Sequence, residues 1–181
     1  MHCWYDLNID KDNIFRNQFN LPNRDNPAPT EKIIYFYQAH EVFDEKWLSY
    51  VKTLGFPTMS LVILFYTPTT SLEEVAHVDW LPDGSGPVTY GINITLDDND
   101  GDMFWYEPPT NDLHMGDSVK GEDNKYTWYN LSGLTQTDRC HIDNTKFTLV
   151  NTTIPHYVAT GSVDRWCFSL RFSDCTLPWE E

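Results

Sequence analysis

Arg165-Trp166-Cys167-Phe168-Ser169-Leu170-Arg171-Phe172 alternates polar and apolar residues without a break. Side chains on a strand point to opposite faces in turn, so Arg165, Cys167, Ser169 and Arg171 share one face, and Trp166, Phe168, Leu170 and Phe172 share a packed one. Working back, similar strand-like segments separated by Gly, Pro, Asn and Asp clusters are expected at 60–67, 75–80, 88–96, 102–107, 125–129 and 147–154. Ile33-Ile34-Tyr35-Phe36-Tyr37 reads as a further strand. Phe43, Trp47, Leu48, Val51 and Leu54 are spaced by three and four, the pattern of an amphipathic helix, which Gly55 and Pro57 close. Residues 1–30 are rich in Asn, Asp and Pro and read as an irregular arm packed by Trp4, Tyr5, Phe15 and Phe19. An early helix followed by several short strands predicts a mainly β protein, an antiparallel sandwich or barrel with helical cover. Its 181 residues suffice for one domain, with the arm and covering helix over 1–58 and the β core over 59–173.

Two connections stand out. Asp97-Asp98-Asn99-Asp100-Gly101-Asp102 carries the Asp-Gly signal of a hairpin between the strands at 88–96 and 102–107. As a calcium loop it fails, since Leu96 falls where the first acidic ligand would stand. The segment from Pro108 to Lys125 is long for a connection and is expected to be a loop, a candidate lid beside a site.

The 27 acidic and 12 basic residues give a net charge of −15, a field that repels polyanions and disfavours nucleic acid as a partner. A neutral or basic substrate is expected instead. No apolar run approaches the length of a membrane helix, and Met1-His2-Cys3-Trp4-Tyr5-Asp6 lacks a signal-peptide pattern, so a cytoplasmic protein without membrane association is expected. Cys3, Cys140, Cys167 and Cys175 form no CxxC pair and read as reduced thiols.

The chemistry centres on Ala76-His77-Val78-Asp79-Trp80. Two residues apart on a strand, His77 and Asp79 project from the same face, and with a second His they would form a two-His, one-carboxylate triad for Fe(II) with open positions. The strand at 147–154 runs on to His156, and Arg165 opens the final strand nine residues later. An Arg at the start of a polar face suits bidentate recognition of a carboxylate, the alternative being a structural ion pair. Arg171 shares that face but lies six residues further from the expected metal end, so it ranks second. His141, beside Cys140, is expected in a polar loop; His114, in the acidic loop, is a weak candidate for substrate contact.

Taken in order, His77-x-Asp79, His156 and Arg165 resemble the iron(II)- and 2-oxoglutarate-dependent oxygenases with a double-stranded β-helix (jelly-roll, cupin-like) core, and within them the small prolyl-hydroxylase-like members. The resemblance covers roughly 60–172. It implies that His77, Asp79 and His156 ligate Fe(II), and that Arg165 pairs with the distal carboxylate of 2-oxoglutarate. Such a dioxygenase uses O2 as co-substrate, with ascorbate as a reductant, and yields succinate and CO2 as it hydroxylates a protein residue such as proline or a small molecule. Further 2-oxoglutarate contacts are expected from Tyr90, Asn93 and Ser169, and an apolar wall from Trp80, Trp105 and Tyr106. Two other readings keep the jelly roll: a cupin-like metal protein or isomerase without oxygenase activity, which has no need of Arg165, and a structural protein, which needs none of the four.

Overall fold

A computed structural model of the chain describes residues 3–9, 14–16, 19–22, 30, 32–56, 59–69, 75–79, 90–107, 114–119 and 125–172, with the backbone alone at 60, 114–119, 125 and 126. The elements are β1 (Trp4–Leu7), β2 (Ile33–Tyr37), α1 (Ala39–Val42), α2 (Glu45–Thr53), β3 (Met59–Thr67), β4 (Val75–Asp79), β5 (Tyr90–Thr95), β6 (Asp102–Tyr106), β7 (His114–Val119), β8 (Lys125–Asn130), β9 (Gln136–His141), β10 (Phe147–Asn151), β11 (His156–Val158) and β12 (Arg165–Phe172). They form two antiparallel six-stranded sheets, the first in the order β1-β10-β5-β12-β3-β2 and the second in the order β7-β8-β4-β11-β6-β9. The protein is mainly β, as expected. No helix among the described residues is long and apolar enough to cross a membrane.

The alternation in β12 divides the first sheet into two chemistries. Trp166, Phe168, Leu170 and Phe172 join Leu64, Tyr66, Ile92, Ile94, Phe147 and Leu149 in the main apolar cluster, which the helices cover through Val42, Phe43, Trp47 and Val51. Phe168 is its centre: its ring lies 5.5 Å from Phe15, 6.1 Å from Phe19 and 6.1 Å from Phe43. The arm is held by the same aromatic contacts that hold the sheet to its cover. Asp44 caps α2 by accepting from the Lys46 N–H at 2.8 Å, and Gly55 beyond it has φ 91, a left-handed conformation that favours Gly. The other face of the first sheet looks across to the second. There the apolar content is smaller, a cluster of Cys3, Met103, Trp105, Cys140, Ile142 and Val150.

Several expectations are corrected. The arm is not irregular throughout, because β1 pairs with β10 along Trp4–Leu7, and Tyr5 is exposed rather than packed. β5 and β6 lie in different sheets, so the Asp-Gly stretch is a corner between layers and not a hairpin. Asn99 and Asp100 hold that corner: Asn99 Nδ2 donates to the Ile142 carbonyl at 3.1 Å, and Asp100 Oδ1 accepts from the Ser162 N–H at 2.6 Å. The segment 108–125 is not all loop, since β7 pairs with β8; the rest of the candidate lid lies outside the described residues. Cys140 and His141 belong to β9, with His141 Nδ1 3.0 Å from the Gly101 carbonyl. β10 stops at Asn151, and His156 does not end that strand: it opens β11 in the opposite sheet.

Candidate metal centre

That switch of sheets builds the site. β11 lies between β4 and β6, and His156 is paired directly with His77 of β4, so the two imidazoles emerge side by side on one face with ring centroids 4.4 Å apart. Asp79, two residues along β4, emerges on that same face. One ligand atom from each of His77, Asp79 and His156 lies within 4.8 Å of the others, and these residues could hold a metal ion. Asp79 Oδ1 is 3.4 Å from His77 Nε2, and Oδ2 is 3.9 Å from His156 Nε2.

The protonation states fit a metal as well. Burial depresses both imidazoles: His77 is held well below the ordinary value, further lowered by His156, and His156 is held below it although Asp79 pulls it up. Both are therefore neutral near pH 7, the form that coordinates. His156 donates from Nδ1 to the Ile154 carbonyl at 3.0 Å, which leaves the Nε2 lone pair toward the cluster. Burial acts to raise the Asp79 carboxyl, but Arg171, with smaller pulls from His156 and His77, holds it below the ordinary carboxylate range. Arg171 Nη2 is 2.6 Å from Asp79 Oδ2, and both side chains are almost fully buried. It crosses the interior from β12, opposite Gly91 on β5; a Cβ at 91 would stand 2.8 Å from Arg171 Nη1. The lack of a side chain there gives the guanidinium its path.

The order along β12 is thus the reverse of the expectation: Arg171 stands at the metal end and Arg165 away from it. Arg165 is only 6% exposed and lines the same cavity as the three candidate ligands. Its Nη2 lies 3.3 Å from Cys167 Sγ, a thiol that burial keeps protonated. Among the described residues it meets no carboxylate. A buried cation without a counter-charge is costly, and an anionic ligand in the cavity would supply one.

Asn93 lines the cavity too, and Ser169 stands behind it, donating to Asn93 Oδ1 at 2.5 Å. Tyr90 does not belong with them. It projects to the opposite face of β5 and packs on the main apolar cluster. Trp105 is fully buried and pairs with His156 across the neighbouring strand, donating from Nε1 to the Asn151 carbonyl at 2.8 Å, so it is core and not wall. Tyr106 is not part of the cavity lining, and Trp80 lies outside the described residues. The side chain of His114 is also outside them. The apolar wall instead comes from Ile34, Phe65 and Trp128, the last with its ring 5.3 Å from His77. These residues were missed because their segments read as ordinary strands, and the pairing that brings β2, β3 and β8 to the cavity is tertiary.

No protein-family model and no curated protein matches the sequence.

Proposed function

We propose that the chain is an Fe(II)- and 2-oxoglutarate-dependent dioxygenase acting as a hydroxylase. One observation carries the reading: a single cavity has a buried two-His, one-carboxylate group at one end and, at the other, a buried guanidinium that meets no carboxylate among the described residues. That is the pairing needed to hold a metal and the distal carboxylate of a 2-oxo acid together. The strand order supports a jelly-roll reading of the fold, since β3 to β6 and β9 to β12 alternate between the sheets and the pairs β12·β3, β5·β12 and β4·β11 form its centre.

Bound iron(II), with O2, would supply the oxidising power that converts 2-oxoglutarate to succinate and CO2 and hydroxylates a C–H bond. The chain's own residues do simpler work. His77 and His156 present neutral imidazoles, and the Ile154 carbonyl orients the latter. Arg171 engages Oδ2 of Asp79, which turns Oδ1 toward the ligand cluster. Arg165 binds the far carboxylate of the co-substrate, and Asn93, held by Ser169, offers an amide to its shaft. Ile34, Phe65 and Trp128 keep water from the reacting side.

The test is anaerobic addition of Fe(II) and then 2-oxoglutarate. A visible charge-transfer band that appears with both and is lost in Asp79→Asn supports the reading. A colourless sample that binds the metal but not 2-oxoglutarate refutes it in favour of a cupin-like metal protein.

A further inference from the structure

Gly91 lies on an interior strand of the first sheet, where the backbone has no need of glycine. It is buried on β5, paired with Val150 of β10 on one side and with Arg171 of β12 on the other, and among the described residues the left-handed φ belongs to Gly55. A glycine inside a strand weakens it and marks a place that something approaches closely. Here a side chain makes the approach. A Cβ at 91 would meet Arg171 Nη1 at 2.8 Å, Arg171 Cζ at 3.4 Å and Ser169 Oγ at 3.3 Å. The nearest of these is the far end of a long side chain, so a larger residue at 91 displaces the guanidinium before it moves the sheet.

What the guanidinium does there follows from the carboxylate it holds. Asp79 brings both oxygens near the imidazoles, Oδ1 at 3.4 Å from His77 Nε2 and Oδ2 at 3.9 Å from His156 Nε2, so distance alone would let one oxygen or both reach a shared ion. Arg171 breaks that symmetry. Its Nη2 lies 2.6 Å from Oδ2, a charge-assisted hydrogen bond between two almost fully buried side chains. An ion drawn onto Oδ2 would weaken that bond and approach the guanidinium, and repulsion between the two cations rises as their separation falls. An ion on Oδ1 keeps both favourable contacts. The count of ligands then matters. Two imidazoles and one oxygen leave three positions of an octahedral ion, enough for a chelating 2-oxo acid and O2 together, whereas a carboxylate bound through both oxygens leaves two, which the chelate alone fills.

We propose that Gly91 is a positioning residue for this reaction: by leaving room for Arg171 it makes Asp79 a one-oxygen ligand, and so keeps a coordination position open for O2. This rests on the oxygenase reading and adds to it the device that sets the number of open positions.

Crystals of the protein loaded with Co(II) give the first readout, with one Asp79 oxygen expected on the metal and the other on Arg171. The second uses nitric oxide, which takes the place of O2 and gives an EPR signal when it binds beside 2-oxoglutarate on Fe(II). The parent protein should give that signal. Gly91→Val should lose most of it while still binding one Co(II), now through both Asp79 oxygens, and Gly91→Ala, the milder change, should lose part. Arg171→Met should match Gly91→Val, and the double variant should match Arg171→Met alone, because Gly91 acts only through that side chain. The proposal is overturned if both Asp79 oxygens bind the metal in the parent protein, or if Gly91→Val leaves Arg171 on Asp79 or keeps the full nitric oxide signal. A one-oxygen Asp79 in a protein that gives no 2-oxoglutarate band would keep the role of Gly91 in the ligand set and remove the oxygenase reading; a band from a site that binds Asp79 through both oxygens would do the reverse.

Discussion

Replacing Arg171 with Met tests the electrostatics of the site without depending on any substrate. Asp79 is 5% exposed, and Arg171 Nη2 approaches its Oδ2 at 2.6 Å. Removing one partner of such a pair leaves a buried charge unanswered, at about 3–5 kcal/mol. For a chain of 181 residues that corresponds to a fall in Tm of roughly 6–20 °C. Asp79→Leu should cost a similar amount for the mirror-image reason. With both changes the interior holds neither charge, so the double variant should lose far less than the sum, leaving a coupling of several kcal/mol. Urea denaturation of the four proteins in the presence of a chelator measures the cycle. Additive losses, or a cost below about 1 kcal/mol for Arg171→Met alone, would show that the pair does not hold the site and that the low carboxyl of Asp79 has another cause.

Three other outcomes follow from the geometry. His77→Ala and His156→Ala should each abolish stoichiometric Co(II) binding and succinate formation; normal turnover by either variant removes that residue from the ligand group. Arg165→Met should raise the 2-oxoglutarate concentration for half-saturation about thirtyfold or more, the equivalent of a charge-assisted bidentate contact of about 2–5 kcal/mol, while Tyr90→Phe, on the other face of β5, leaves it unchanged. Phe168→Ala should destabilise the protein by about 3–5 kcal/mol in urea, and any folded fraction should still bind one Co(II); a loss of metal in that fraction would mean the apolar cluster positions the ligands.

Much of this was legible because period-two patterns survive in single strands. The two faces of β12 are as its alternation predicts, and so is the split of β5 that points Asn93 inward. What the pattern lacks is direction. A strand read alone does not say which of its ends lies near β4, and that is why Arg165 rather than Arg171 was expected nearer the metal end. β11 has three residues, too few for any period, so His156 looked like the end of β10. β9 shows mostly exposed side chains and is held by pairing to β6. The Asp-Gly corner failed for a related reason, since the turn chemistry that closes a hairpin also carries a chain from one sheet to the other.

The alternation of β12 has a consequence for how this protein can vary. Arg165 and Arg171 belong to the site, while Trp166 and Phe168 between them belong to the packed side, so the two roles are interleaved along one stretch of backbone. Point substitutions can retune the cavity and leave the scaffold alone. A single deletion between Arg165 and Arg171 would shift the phase of the residues on one side of it, driving a guanidinium into hydrocarbon or an aromatic ring into the cavity. Divergence in this stretch is therefore open to exchange of residues and closed to changes of length.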